Sequence, residues 1–281
     1  MEEGTKSIRI GNKQLSVATP AVMGIVNVTD NSFYAPSRIG SAELVVMRAQ
    51  QMVAEGAAVI DIGACSTRPG AEPISEEEEK ARLLPVLEAL SNALLPVPLS
   101  VDTFRVSVVE ACMSVCEAFI VNDVSGCADK NMAAVVAKNH LPYILTHNSR
   151  AKNEECPCKV ADIVSDVRNF FCEMADKLHA AGVEDVILDP GFGFGKTLDE
   201  NYRLLAHLSE LRVEHALLLA GVSRKSMIQR VLSVSADEAL NGTTVLHTIV
   251  LQQGADILRV HDVREACETI QLMQQIKRQT I

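Results

Sequence analysis

Short apolar, β-branched runs recur along the chain at residues 21–28, 57–63, 99–103, 118–124, 143–147, 186–189, 216–223 and 256–261. Apolar residues nearly fill them, as expected of strands buried on both faces of a parallel sheet. Stretches of helical period lie between them, at 41–55, 74–92, 160–181, 198–211 and 241–253. Leu204, Leu205, Leu208 and Leu211 show the three- and four-residue spacing. Ser75 followed by Glu78 is a capping-box pattern opening the second stretch. Ahead of the first run, residues 7–10 and 14–17 flank a Gly11-Asn12 turn. That segment, 6–18, predicts a hairpin able to plug the bottom of a barrel.

Length alone, 281 residues, suggests two domains, but α/β barrels of about 250 residues are an exception. The βα alternation repeats eight times with no linker, charge block or change of composition. The expected fold is therefore α/β, a single (β/α)8 TIM barrel with an N-terminal β-hairpin, one domain over residues 1–281. A doubly wound open sheet is the competing arrangement.

The polar residues fall where the apolar runs end. In chain order these are Asn27, Asp61, Asp102, Asn122 with Asp123, Thr146 with His147, Asp189, Ser223-Arg224-Lys225, and Arg259 with His261. Asp and Asn often cap helices or satisfy loop backbone, so any one position could be structural. One polar group per strand end across eight strands instead predicts an active site at the C-terminal mouth of a barrel. Asp102, Asn122 and Asp189 suit the edge of a nitrogen heterocycle rich in donors. Arg68, Lys225, Arg259 and His261 suit a phosphate or carboxylate.

Composition narrows the rest. Hydrophobic residues make up 48% and charged residues 22%, which fits a globular chain and excludes low-complexity disorder. No apolar window is long enough for a membrane span, and the N-terminus has acids where a signal peptide has bases; the expected location is cytoplasmic. A net charge of −10 argues against nucleic acid as a partner. The eight cysteines are scattered, and neither Cys112 with Cys116 nor Cys156 with Cys158 has a paired zinc or redox spacing, so reduced thiols are expected.

Residues 191–197, Gly-Phe-Gly-Phe-Gly-Lys-Thr, end like a phosphate-binding P-loop. The required first glycine is Pro190, which lacks the N–H that such a cradle uses. The glycines instead let the loop lie against a ligand, with Phe192 or Phe194 offering an aromatic face.

Seven motifs carry a resemblance: M-G-I-V-N-V-T at 23–29, D-I-G-A-C-S-T-R-P-G at 61–70, V-D-T at 101–103, V-N-D-V-S-G at 121–126, D-P-G-F-G-F-G-K-T at 189–197, G-V-S-R-K-S at 221–226 and R-V-H-D-V at 259–263. In that order the chain resembles the dihydropteroate synthases, pterin-binding barrels of folate biosynthesis. The resemblance implies a transferase joining 6-hydroxymethyl-7,8-dihydropterin diphosphate to 4-aminobenzoate, with release of diphosphate. It implies that Asp102, Asn122, Asp189 and Lys225 hold the pterin, that Asn27 contacts Mg2+ on the diphosphate, and that Arg259 and His261 bind the diphosphate. It places Thr67, Arg68 and Pro69 on a mobile loop near the aminobenzoate, with Phe33 from the first loop and Phe194 beneath. Ser223 and Ser226 then flank the aminobenzoate carboxylate, and a homodimer through the later helices is implied. Asp102, Lys225, Arg259 and His261 are the expected catalytic set.

The chemistry agrees without the resemblance: neutralised diphosphate leaves readily, and no activated Ser or Cys is evident. Cys65 is read as a reduced bystander. Two departures stand out. The first loop has Asp30-Asn31-Ser32-Phe33 where the family has Pro-Asp-Ser-Phe, and Thr146 replaces a methionine before His147. The alternatives are a methyltransferase on the same barrel, which has no use for the S-T-R-P-G and R-x-H motifs, and a noncatalytic pterin-binding paralogue.

Overall fold

A computed structural model describes residues 7–28, 38–65, 74–149 and 162–279. It begins with an antiparallel hairpin, β1 (Ser7–Ile10) and β2 (Lys13–Ser16), with Gly11 in the left-handed region at φ 59°. Then follow β3 (Ala21–Asn27), α1 (Arg38–Glu55), β4 (Val59–Gly63), α2 (Glu76–Asn92), β5 (Leu99–Asp102), α3 (Val106–Met113), β6 (Ile120–Asp123) and α4 (Met132–Lys138). The second half holds β7 (Tyr143–Thr146), α5 (Ile163–Ala180), β8 (Val186–Asp189), α6 (Leu198–Ala206), β9 (Leu217–Ala220), α7 (Ser226–Leu232), α8 (Leu240–Gln252), β10 (Ile257–Val260) and α9 (Val263–Arg278). β3 to β10 pair in parallel and close into a barrel, β10 returning beside β3. The open-sheet alternative is excluded by that closure.

Alternation along each strand divides the core in two. Outward residues such as Ile62, Val101, Val121, Leu145, Leu188 and Leu258 pack under the helices. Inward residues Val59, Ile120, Ile144, Ile187 and Ile257 form a separate cluster that Ile8, Ile10 and Leu15 of the hairpin seal from below. The hairpin is thus a plug, as its apolar alternation predicts. Two residues further along the same strands, and so on the same inward face, come Asp61, Asn122, Thr146, Asp189 and Arg259. The interior is oil at the bottom and polar at the C-terminal mouth.

Local signals and local structure differ in several places. Ser75 does cap α2 by accepting from Glu78 N at 3.1 Å, but the Glu78 carboxylate pairs with Arg82 instead of reaching back. The reciprocal capping box opens α6, between Thr197 and Glu200. The helical stretch 198–211 breaks at His207 into α6 and a 3-10 turn, Leu208–Leu211. Helices α3, α4 and α7, of seven or eight residues, are too short for a clear period.

Candidate active site

At the mouth, Arg259 on β10 reaches two carboxylates on neighbouring strands. Its Nε donates to Asp61 Oδ2 at 2.7 Å and its Nη2 to Asp102 Oδ2 at 2.7 Å. Asn122, in register with Asp102 on the next strand, donates Nδ2 to Asp61 Oδ2 at 3.2 Å. Asp61 is fully buried and Asp102 nearly so. Such carboxylates require a counter-charge, and the guanidinium supplies it. Burial pushes the Asp102 carboxyl up to about 7, against the pull of Arg259 and helped by Asp61. Burial opposes the Arg259 charge too, but Asp61 and Asp102 outweigh it and hold that charge firmly. Arg259 Nη1 makes no hydrogen bond among the described residues.

Across the mouth, three groups meet over Gly221. A methyl placed there would lie 3.8 Å from Asp189 Oδ2 and 3.9 Å from both Lys225 Nζ and Arg259 Cβ. Asp189 Oδ1 accepts from Gly191 N at 2.7 Å. Lys225 donates to the Phe192 carbonyl and lies 4.9 Å from the centre of the Phe194 ring. Desolvation lowers its ammonium to about 8, with Asp189 opposing. His261 Nδ1 is 3.1 Å from Ser223 Oγ, which also accepts from His261 N at 3.2 Å. Arg224, left-handed at φ 53°, grips both oxygens of Asp262 at 2.8 Å and so ties the Lys225 loop to the His261 loop.

Most of the expected residues converge here: Asp102, Asn122, Asp189, Lys225, Arg259 and His261, with half-buried Phe194. Ser223 does not stand open; its hydroxyl is engaged by His261. Ser226 is exposed in the first turn of α7, and Asn27 is exposed at the end of β3. Phe33, Thr67, Arg68, Pro69, Asp30, Asn31, Cys156 and Cys158 lie outside the described residues. Cys65, Cys112, Cys116, Cys127, Cys172 and Cys267 are free thiols. No group of three or more His, Cys, Asp or Glu that could hold a metal occurs among the described residues, and no described helix is long and apolar enough to cross a membrane. Thr146, where the family has methionine, is fully buried and its Oγ1 has no hydrogen-bond partner among the described residues.

Two residues carry more than their sequence context suggests. Asp61, a strand end at the head of the D-I-G motif, is the hub that Arg259 and Asn122 share. Lys196 lies in the segment that resembles a P-loop. It donates to three backbone carbonyls, His147 and Gly191 at 2.9 Å and Phe194 at 3.4 Å.

A closed parallel barrel with this acid, amide and cation set at its C-terminal mouth is a pterin-binding enzyme of the (β/α)8 class, and the pterin binding enzyme family model matches residues 23–261. Relatives narrow the class. The dihydropteroate synthase of Escherichia coli K12 is 39% identical over 264 residues, 92% of this chain and 93% of that one. That of Bacillus subtilis is 38% identical over 258 residues, 90% and 87% of the two chains. Among solved structures, Xanthomonas albilineans dihydropteroate synthase with 4-aminobenzoic acid superposes with a TM-score of 0.88 at 35% identity, over 97% of this chain and 98% of that one. A Yersinia pestis dihydropteroate synthase with a sulfonamide drug gives a TM-score of 0.88 at 37% identity, over 97% and 100%. The chain belongs to the dihydropteroate synthase family and is a transferase of folate biosynthesis.

Proposed function

We propose that the condensation of 6-hydroxymethyl-7,8-dihydropterin diphosphate with 4-aminobenzoate, to 7,8-dihydropteroate and diphosphate, takes place at this mouth. The observation that carries the reading is the meeting of Asp189, Lys225 and Arg259 around Gly221, beside the Asp61–Asp102–Asn122 row. Acceptors and cations face one space, as a donor-rich ring bearing an anionic leaving group demands.

Asp102, Asn122 and Asp189 take the pterin edge, with Lys225 beside them. Arg259, through Nη1, and His261 take the diphosphate and stabilise the charge that grows as the carbon–oxygen bond breaks. The electron-rich dihydropterin shares the positive charge left on its methylene. The amine of 4-aminobenzoate then forms the carbon–nitrogen bond and loses a proton. No covalent enzyme intermediate is needed.

Asn27 presents a neutral amide at the exposed strand end. Its carbonyl oxygen would be a ligand for Mg2+, a hard cation that suits oxygen donors. Bound so, Mg2+ offsets charge on the diphosphate. The X. albilineans complex supports an aminobenzoate seat, which we assign to Phe194, Ser223, Ser226 and Lys225, with Phe33, Thr67, Arg68 and Pro69 contributed by the loops. The sulfonamide complex of the Y. pestis relative supports the same seat admitting sulfonamides. We further assign one domain to residues 1–281, a cytoplasmic location, and a homodimer through α7 and α8, where Val231, Leu232 and Val245 are exposed.

Calorimetric titration with a pterin ligand tests the site. Asp102→Ala and Asp189→Ala each remove a charge-assisted acceptor and should cost about 1.5–3 kcal/mol of affinity with the fold retained. Unchanged affinity in both variants would remove the basis of the assignment.

A further inference from the structure

The loop after β8 lies unusually close to the end of β7. Gly191 has φ 65°, and a Cβ there would stand only 2.1 Å from the His147 carbonyl oxygen. Two backbones thus meet where a side chain has no room. The Lys196 ammonium fills the angle between them, donating to the carbonyls of His147, Gly191 and Phe194. On the far side, Asn201 fixes the same loop, accepting from Gly193 N at 2.7 Å and donating to the Thr197 carbonyl at 2.6 Å. Between these two clamps the segment offers its Phe192 carbonyl and its Phe194 ring to Lys225.

We propose that Lys196 is a positioning residue for the aminobenzoate step: by tying residues 191–197 to the end of β7, its ammonium sets the Phe194 ring as a preformed wall of the seat for an aromatic amine. The inference rests on the assignment of Phe194 to aminobenzoate made above. Among the described residues the hydrogen bonds of its ammonium go to backbone carbonyls, one at the end of β7 and two in the loop after β8, as a brace between two segments requires. The lysine acts through the ring of Phe194, the residue whose carbonyl it holds. Burial lowers its ammonium to about 7, with Asp189 opposing, so the charge is held at a cost that the loop geometry must justify.

Steady-state kinetics with both substrates, and calorimetry with the pterin alone, test this on Lys196→Met, Lys196→Arg and Phe194→Ala. In Lys196→Met the KM for 4-aminobenzoate should rise about tenfold or more, as for the loss of one charge-assisted bond. Pterin affinity and kcat should stay within about threefold, the signature of lost uniform binding. Lys196→Arg keeps the donors and should recover most of the loss. A wild-type KM in Lys196→Met beside a raised KM in Phe194→Ala overturns the proposal while the seat stands. A wild-type KM in both variants overturns the seat, and the proposal with it. Equal losses of pterin and aminobenzoate affinity also overturn it, because they mark general loosening. If Lys196→Met does not fold, Lys196→Gln, which keeps an amide donor, must show the same split at smaller size; without that split the proposal fails.

Discussion

Replacing Arg259 by Met removes the guanidinium and keeps much of the stem. Among the described residues the Asp61 carboxylate would retain only Asn122 Nδ2, at 3.2 Å, and the Asp102 carboxylate no hydrogen bond. Removing one partner of a buried ion pair costs about 3–5 kcal/mol. For a chain of this size each kcal/mol is worth roughly 2 °C, so Tm should fall by about 6–10 °C in mildly alkaline buffer. The sign of the pH dependence follows from Asp102. Its carboxyl stands raised from 3.8 to about 7, so over that window the folded state holds a proton that the unfolded chain releases. Stability therefore declines as pH rises through the window. Without Arg259 nothing opposes the rise, and the window extends upward. The deficit against wild type should be smaller near about pH 6, where a shared proton stands in for the guanidinium, than near about pH 8.5. Differential scanning calorimetry of both proteins at both pH values reads this directly. An equal deficit at the two, or none, would refute Arg259 as the counter-charge that permits two buried carboxylates.

Three further outcomes are expected. Pterin affinity should be level above about pH 8 and fall about tenfold per pH unit below about 7, since a protonated Asp102 no longer accepts at both oxygens; a flat calorimetric profile would remove Asp102 from the pterin edge. Thr146→Val deletes a buried hydroxyl that has no partner among the described residues and should raise Tm by about 2–6 °C, from about 1–3 kcal/mol; a lowered Tm would mean the hydroxyl is satisfied. From the sequence alone, Asp30→Pro with Asn31→Asp should stiffen the first loop and lower the KM for aminobenzoate while pterin affinity barely moves. An unchanged or raised KM would show the natural loop to be adapted already.

The barrel was legible because its signal is global: eight apolar runs, each ending in polarity, admit few closures, and the hairpin's alternation of Ile8 and Ile10 with Arg9 already marked a plug. The site was legible at the level of strand ends. Side-chain pairing was not. Nothing in linear order tells that Arg259 turns onto Asp61 and Asp102, which lie 198 and 157 residues away. Ser223 illustrates the same limit, since its engagement by His261 depends on two loops meeting. Lys196 was hidden for another reason. Its Gly-rich setting resembles a phosphate cradle, and only the φ of Gly191 and the nearness of the His147 carbonyl reveal that the ammonium faces backbone.

One mouth should join the two substrates without a covalent enzyme intermediate. The most direct measurement follows diphosphate release and dihydropteroate formation together, in the presence of Mg2+, with and without 4-aminobenzoate. Release should require the amine and match dihydropteroate one for one. Release of diphosphate in a stoichiometric burst without the amine, or no dihydropteroate with both substrates present, would contradict it.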